Sequence, residues 1–164
     1  MRVAGIVKDS IVDGIGVRDT IFLQGCHHHC EGCHNPQTWA IYGGSDMSVS
    51  ALADEMANSS NNITISGGEP LLQYSELLEF MELVNATQNK RFWLYTGFTY
   101  GEIKHSMWKE LAKYVDVVID GEFDKNCADK NLLFRGSSNQ RLIDLNKSLE
   151  QYEVVLWEDA NELA

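Results

Sequence analysis

Cys26, Cys30 and Cys33 form a C-x3-C-x2-C array in the run Cys26-His27-His28-His29-Cys30-Glu31-Gly32-Cys33. Three thiolates at this spacing could hold a four-iron cluster and leave one iron without a protein ligand. An open coordination position is where a metal centre binds and transforms a substrate, whereas a structural site is closed by four protein ligands. The same residues admit two plainer readings: a zinc knuckle of Cys26, Cys30, Cys33 and His34, or a surface loop of idle thiols. The chain offers no second CxxC or HxxxH half-site, which makes a closed zinc site awkward. His27, His28 and His29 read as solvated loop residues between ligands rather than as three further ligands. Cys127 stands far from the triad in a polar segment and reads as a free thiol.

A second constellation is Ser66-Gly67-Gly68-Glu69-Pro70. Two glycines here could simply make a turn. Beside a metal site they also supply backbone unshielded by a Cβ, able to approach a ligand's ammonium, with Glu69 as a charged acceptor. Asp120, ahead of Gly121, is either a ligand contact or a carboxylate capping a strand-end turn.

The elements that must position these residues follow from hydrophobic spacing. Residues 2–7 and 20–23 read as strands around the turn-rich Asp13-Gly14-Ile15-Gly16, with the cysteine loop directly after the second. Val49, Leu52, Ala53 and Met56 recur at helical spacing after Ser48, and 62–65 is a short β-branched run. A helix over 74–86, a strand over 91–96, a helix over 106–114 and an apolar strand over 115–119 continue the alternation. Strand–helix alternation predicts an α/β fold with a mainly parallel sheet and right-handed crossovers. Eight βα units need roughly 250 residues, so this chain is expected to make a small, open, partial barrel. Ligands of such sheets sit beyond the C-terminal ends of the strands, and the cysteines, Gly67-Gly68-Glu69, Thr96-Gly97 and Asp120-Gly121 each follow a strand.

Composition bounds the rest. With 164 residues and 44% hydrophobic content the chain is expected to form one domain, 1–164. A formal charge of −11 disfavours binding to a phosphate backbone, so nucleic acid is not an expected partner. No apolar run approaches the ~20 residues that span a bilayer, and the N-terminus lacks a secretory layout, so no membrane association and a cytoplasmic location are expected. Four cysteines in that setting read as reduced thiols rather than as a disulfide framework.

Taken in order, Gly25-Cys26-x3-Cys30-x-Gly32-Cys33-x-Asn35-Pro36-x-Thr38-Trp39, Ser66-Gly67-Gly68-Glu69-Pro70, Asp120-Gly121-x-Phe123 and Arg135-Gly136-Ser137-Ser138-Asn139-Gln140 resemble a known family. The cysteine triad and Gly-Gly-Glu-Pro resemble radical S-adenosylmethionine (SAM) enzymes. The segment 135–140 narrows the resemblance to the activases of anaerobic ribonucleoside-triphosphate reductase. It implies that Cys26, Cys30 and Cys33 hold a [4Fe-4S] cluster and are the catalytic and metal-ligating residues. It also implies that Gly67, Gly68 and Glu69 bind the methionine end of SAM, and that Gly32, Cys33 and His34 line the nucleoside side. Asp120 is a further candidate cofactor contact. One electron from a flavodoxin- or ferredoxin-like donor would split SAM into methionine and a 5′-deoxyadenosyl radical, which would take a hydrogen atom from a glycine on a loop of the reductase's catalytic subunit. An opening left by missing βα units would admit that loop, with 135–140 at its edge. Many radical SAM enzymes carry an aromatic residue just before the third cysteine, near the adenine; Gly32 stands there instead. The rival readings are another small radical SAM enzyme, of the pyruvate formate-lyase activase or deazaguanine synthase kind, and a non-catalytic zinc or iron–sulfur module.

Overall fold

Alternating side chains along the strands assign the two faces of a single sheet in the computed structural model, which describes residues 1–158. The strands are β1 (Arg2–Ser10), β2 (Arg18–Leu23), β3 (Ser45–Asp46), β4 (Asn62–Gly67), β5 (Phe92–Tyr95), β6 (Val115–Asp120) and β7 (Arg141–Asp144), in spatial order β3-β1-β2-β4-β5-β6-β7. Ile21 and Leu23, Ile63 and Ile65, Phe92 and Leu94, Val118 and Ile143 all point to one face and are fully buried. Helices α1 (Val49–Ala57), α2 (Tyr74–Thr87), α3 (His105–Leu111) and α4 (Leu145–Gln151) cover that face. Helix α1 starts where Ser48 accepts a hydrogen bond from the Ala51 amide, and it buries Leu52, Ala53 and Met56. In α2 the buried stripe is Leu77, Phe80, Met81 and Val84, the i, i+3, i+4, i+7 set of an amphipathic helix.

The other face is mixed in character. Trp93, Val117, Ile119 and Leu142 form a small apolar cluster there, joined by Phe134 and Trp157. Arg18 lies on the same face, donating from Nε to Thr64 Oγ1 (2.8 Å) with its guanidinium 5.4 Å from the centre of Trp93. Burial lowers its pKa to about 10, against the pull of Asp116 and Tyr95.

The expected mainly parallel sheet is corrected to a mixed one. Strands β2, β4, β5 and β6 run parallel, but β1 pairs antiparallel with β2 and with β3, and β7 antiparallel with β6. The cause lies in the connections, because a parallel pair needs a crossover of a dozen or more residues back across the sheet. The seven-residue link 11–17 is too short for that. The longer segment 121–140 carries only the 3-10 turn Lys125–Cys127, folds on itself through the Ala128–Ser137 bridge, and re-enters beside the strand end it left, with Arg141 opposite Asp120. All four parallel strands present their C-terminal ends at one edge. Among the described residues no helix is long and apolar enough to cross a membrane.

Candidate active site

The cysteine loop leaves β2 and is closed at its root by backbone pairing. The amides of Gly25 and Cys26 donate to the carbonyls of Thr38 (2.7 Å) and Trp39 (3.1 Å). Inside the loop the Cys33 amide donates to Cys30 O (3.1 Å), the Asn35 amide reaches Cys33 Sγ at 3.3 Å, and Pro36 opens a 3-10 turn, Pro36–Thr38. Cys26 is buried, and Cys30 and Cys33 are half-buried. All three line one cavity of about 350 Å³, within the roughly 300–1,000 Å³ of small-molecule sites. Its floor is the face of the sheet opposite the four helices, through Phe22, Ser66 and Tyr95. Burial raises the pKa of the Cys26 thiol; burial, and then Glu122, raise that of Cys30.

The glycine pair seats this loop. The Gly68 amide donates to Leu23 O and the Glu69 amide to Gly25 O, each at 2.8 Å. A Cβ at Gly67, where φ is +101°, would meet Leu23 N at 2.4 Å; one at Gly68 would lie 2.3 Å from Gly25 O. The space freed by these two missing side chains is therefore filled by the chain's own backbone, although both glycines also line the cavity. Glu69 is fully buried and collects donors from four groups of the protein. These are the Leu71 amide (2.9 Å), Thr96 Oγ1 (2.9 and 3.0 Å), the Gly97 amide (2.8 Å) and His28 Nε2 (2.8 Å). The sequence offers this carboxylate to a ligand's ammonium, and in the structure it is held by four donors of the protein. The Glu69 hydrogen bond, outweighing burial and helped by Glu122, raises the pKa of His28.

The other expected residues fall as follows. His34 lines the cavity with Cys33 and packs on Phe123, with ring centres 4.9 Å apart. Gly32 does not itself line it, but a Cβ there would lie 3.3 Å from Phe123 Cε1. Phe123 thus brings an aromatic ring from beyond β6 to the flank of the glycine that precedes the third cysteine. Asp120 is not brought into this cavity: Arg141 Nε (3.0 Å) and the Tyr100 amide (2.7 Å) engage its two oxygens, and it faces a neighbouring groove. The segment 135–140 is a turn built around Gln140. Oε1 of Gln140 accepts from the Gly136 and Ser137 amides, while Nε2 donates to Gly121 O (3.1 Å) and Asn139 Nδ2 to Glu122 O (2.8 Å). It braces the loop that carries Glu122 and Phe123. Arg135 reaches the cavity with its Nε buried and, among the described residues, without a hydrogen-bond partner. Cys127 stays outside, a free thiol 3.7 Å from Asp124 Oδ2. The sequence alone presents His28 as a solvated loop residue and gives no role to Glu122 or Phe123, whereas the His28 side chain is nearly buried in the structure. The first is one of three adjacent histidines and the other two follow a strand end, so only the fold singles them out.

The donor set has a definite chemistry. Three soft thiol donors line one cavity, a set that suits a thiophilic centre, zinc or an iron–sulfur cluster.

The comparisons agree with this arrangement. Residues 12–143 match the family described as a 4Fe-4S single cluster domain. The anaerobic ribonucleoside-triphosphate reductase-activating protein of Pasteurella multocida is 36% identical over 140 residues, covering 79% of this chain and 89% of that protein. The protein of the same name from Enterobacteria phage T4 is 38% identical over 138 residues (80% and 86%), and that of Escherichia coli K12 is 33% identical over 140 residues (79% and 90%). With the cysteine loop, the glycine turn and the segment 135–140 gathered at one sheet edge, and with relatives matched along most of their length, the chain belongs to the family of anaerobic ribonucleoside-triphosphate reductase-activating proteins.

Proposed function

We propose that this protein is a radical SAM activase, one domain of the open partial-barrel type over 1–164, that generates a glycyl radical on the catalytic subunit of anaerobic ribonucleotide reductase. The observation that carries the reading is the meeting of Cys26, Cys30 and Cys33 with Gly67 and Gly68 in one cavity at the C-terminal edge of the parallel strands. Cys26, Cys30 and Cys33 would hold a [4Fe-4S] cluster through their thiolates. When bound, the cluster would supply one electron to the sulfonium of SAM, yielding methionine and a 5′-deoxyadenosyl radical that takes a hydrogen atom from a reductase glycine.

The chain's own residues bind, orient and shield. Gly67 and Gly68 fix the loop against β2 and present backbone to the methionine end of SAM. His34 and Phe123, packed against each other at a tilt beside Gly32, offer the aromatic wall for the adenine, the part that a side chain at position 32 would otherwise supply. Phe22 and Tyr95 close the floor and exclude water from a reactive radical. Arg135, at the rim with a buried free donor, suits an anionic group of the ligand or a carbonyl of the incoming reductase loop. The electron would come from a flavodoxin- or ferredoxin-like donor.

Anaerobic reconstitution with iron and sulfide, followed by SAM and a low-potential reductant, tests the reading. It predicts methionine and 5′-deoxyadenosine in equal amounts. A fully loaded cluster that leaves SAM intact under reducing conditions would refute it.

A further inference from the structure

His28 links the cysteine loop to three strand ends at once. Its side chain is 8% exposed, with Nε2 2.8 Å from Glu69 Oε2 beyond β4 and Nδ1 2.8 Å from Glu122 Oε1 beyond β6. Each ring nitrogen therefore has a carboxylate oxygen within hydrogen-bond distance, and a bond to an ionised carboxylate is of the stronger class. Room for the ring comes from the end of β5: a Cβ on Gly97 would lie 2.5 Å from His28 Cδ2 and 2.6 Å from Nε2. Phe98 closes the side with its ring edge-on, 4.8 Å between centres. The adjacent histidines do nothing comparable, since His27 packs on His28 and Phe98, and His29 stacks on Trp39. An ionised carboxylate has about four acceptor positions. The Leu71 amide, Thr96 and the Gly97 amide claim most of those on Glu69, and all belong to strand-end segments; His28 is the donor that reaches Glu69 from the cysteine loop.

We infer that His28 is a positioning residue that locks the cysteine loop onto the ends of β4, β5 and β6 through Glu69 and Glu122, and so fixes where Cys26 and Cys30 stand. Glu69 then serves as the anchor of the loop. The lock itself is a property of the chain; only what the positioned thiols hold rests on the proposed function.

Amide hydrogen exchange on the full-length, metal-free protein tests the lock without any cluster. The Cys26 and Cys33 amides are held by Trp39 O and Cys30 O inside the loop. They are expected to exchange at least tenfold faster in His28→Ala and in Gly97→Ala, which pushes the ring off its seat from a different element, while the Ile65 and Leu94 amides keep wild-type rates. His28→Gln keeps a donor aimed at Glu69 and is expected to restore most of the protection. In reconstituted protein, the electron paramagnetic resonance signal of the reduced cluster is expected to be heterogeneous in His28→Ala and Gly97→Ala and to regain its wild-type shape in His28→Gln. Wild-type exchange rates in both His28→Ala and Gly97→Ala overturn the lock, whatever the protein does with iron. Faster exchange in those variants, alongside a wild-type protein that assembles no four-iron cluster, upholds the lock and removes the proposed function instead.

Discussion

Replacing Gly68 with alanine sets a methyl carbon 2.3 Å from the carbonyl oxygen of Gly25 and 2.8 Å from its carbon, where ordinary contact begins at 3.4 Å. Both obstacles are backbone, so no side-chain rotation relieves the overlap of about 1 Å. Moving Gly25 away breaks the Glu69 N to Gly25 O hydrogen bond (2.8 Å) and strains the Gly25 N to Thr38 O bond (2.7 Å) that closes the loop. Overpacking of this kind costs about 1–3 kcal/mol and each lost hydrogen bond about 1 kcal/mol, so roughly 3 kcal/mol is expected. For a chain of this size that lowers the melting temperature by ~6–12 °C. Thermal unfolding of the metal-free protein by circular dichroism reads it directly. Gly101→Ala, whose Cβ would meet open space, is the control and should stay within about 2 °C of wild type. If the glycine matters only because it leaves room for a ligand, Gly68→Ala will melt with the wild type and lose SAM binding alone. That result would refute the seating argument.

Three further predictions concern the site and its frame. Alanine at Cys26, Cys30 or Cys33 should abolish a stable four-iron cluster, while Cys127→Ala, outside the cavity, should retain wild-type iron and sulfide by chemical analysis. Phe123→Ala should weaken SAM binding roughly 5- to 150-fold by calorimetry, in line with the ~1–3 kcal/mol of a base–aromatic stack, and Phe123→Tyr should recover most of it with iron content unchanged. For the buried carboxylate of Asp19, burial raises the pKa, but hydrogen bonds from Asn61 Nδ2 (2.9 Å) and the Asp9 amide (3.1 Å), with Ser59 and Lys8 nearby, outweigh it and leave the pKa below the usual value. A folded-state pKa below the unfolded one stabilises the protein above the unfolded value of about 3.9, and that contribution is lost as pH falls through the folded pKa. Denaturant unfolding of wild type and Asp19→Asn should therefore converge as pH is lowered from 6 towards 3, and a constant difference across that range would contradict the assignment.

Much of this arrangement is visible in the sequence because it rests on local signals. The helical spacing in 49–57 and 74–87, the β-branched or apolar runs of β4 and β6, and motifs that each follow a strand are all within reach of a short window. What escapes depends on distant partners. Strand β7 has four residues, with only Leu142 and Ile143 apolar, too few to establish a period, and β3 has two. The direction of β1 and β7 follows from how their connections fold, which no strand sequence encodes. Helix α3 stops at Leu111, short of the expected Tyr114, because the chain turns there to enter β6. The three histidines at 27–29 are chemically identical until Gly97 and Glu69 arrive from two other strands and single out His28. Asp120 reads equally as a ligand contact or as a carboxylate capping a turn until β7 brings Arg141 against it.

Electron paramagnetic resonance of the anaerobic reductase tests the central claim most directly. The reductase would be mixed with reconstituted protein, SAM and a low-potential reductant. The account predicts a glycyl radical on the reductase that requires SAM and disappears when Cys30→Ala replaces the wild-type protein. A radical of equal yield with Cys30→Ala, or no radical from a protein that cleaves SAM at full cluster loading, would contradict it.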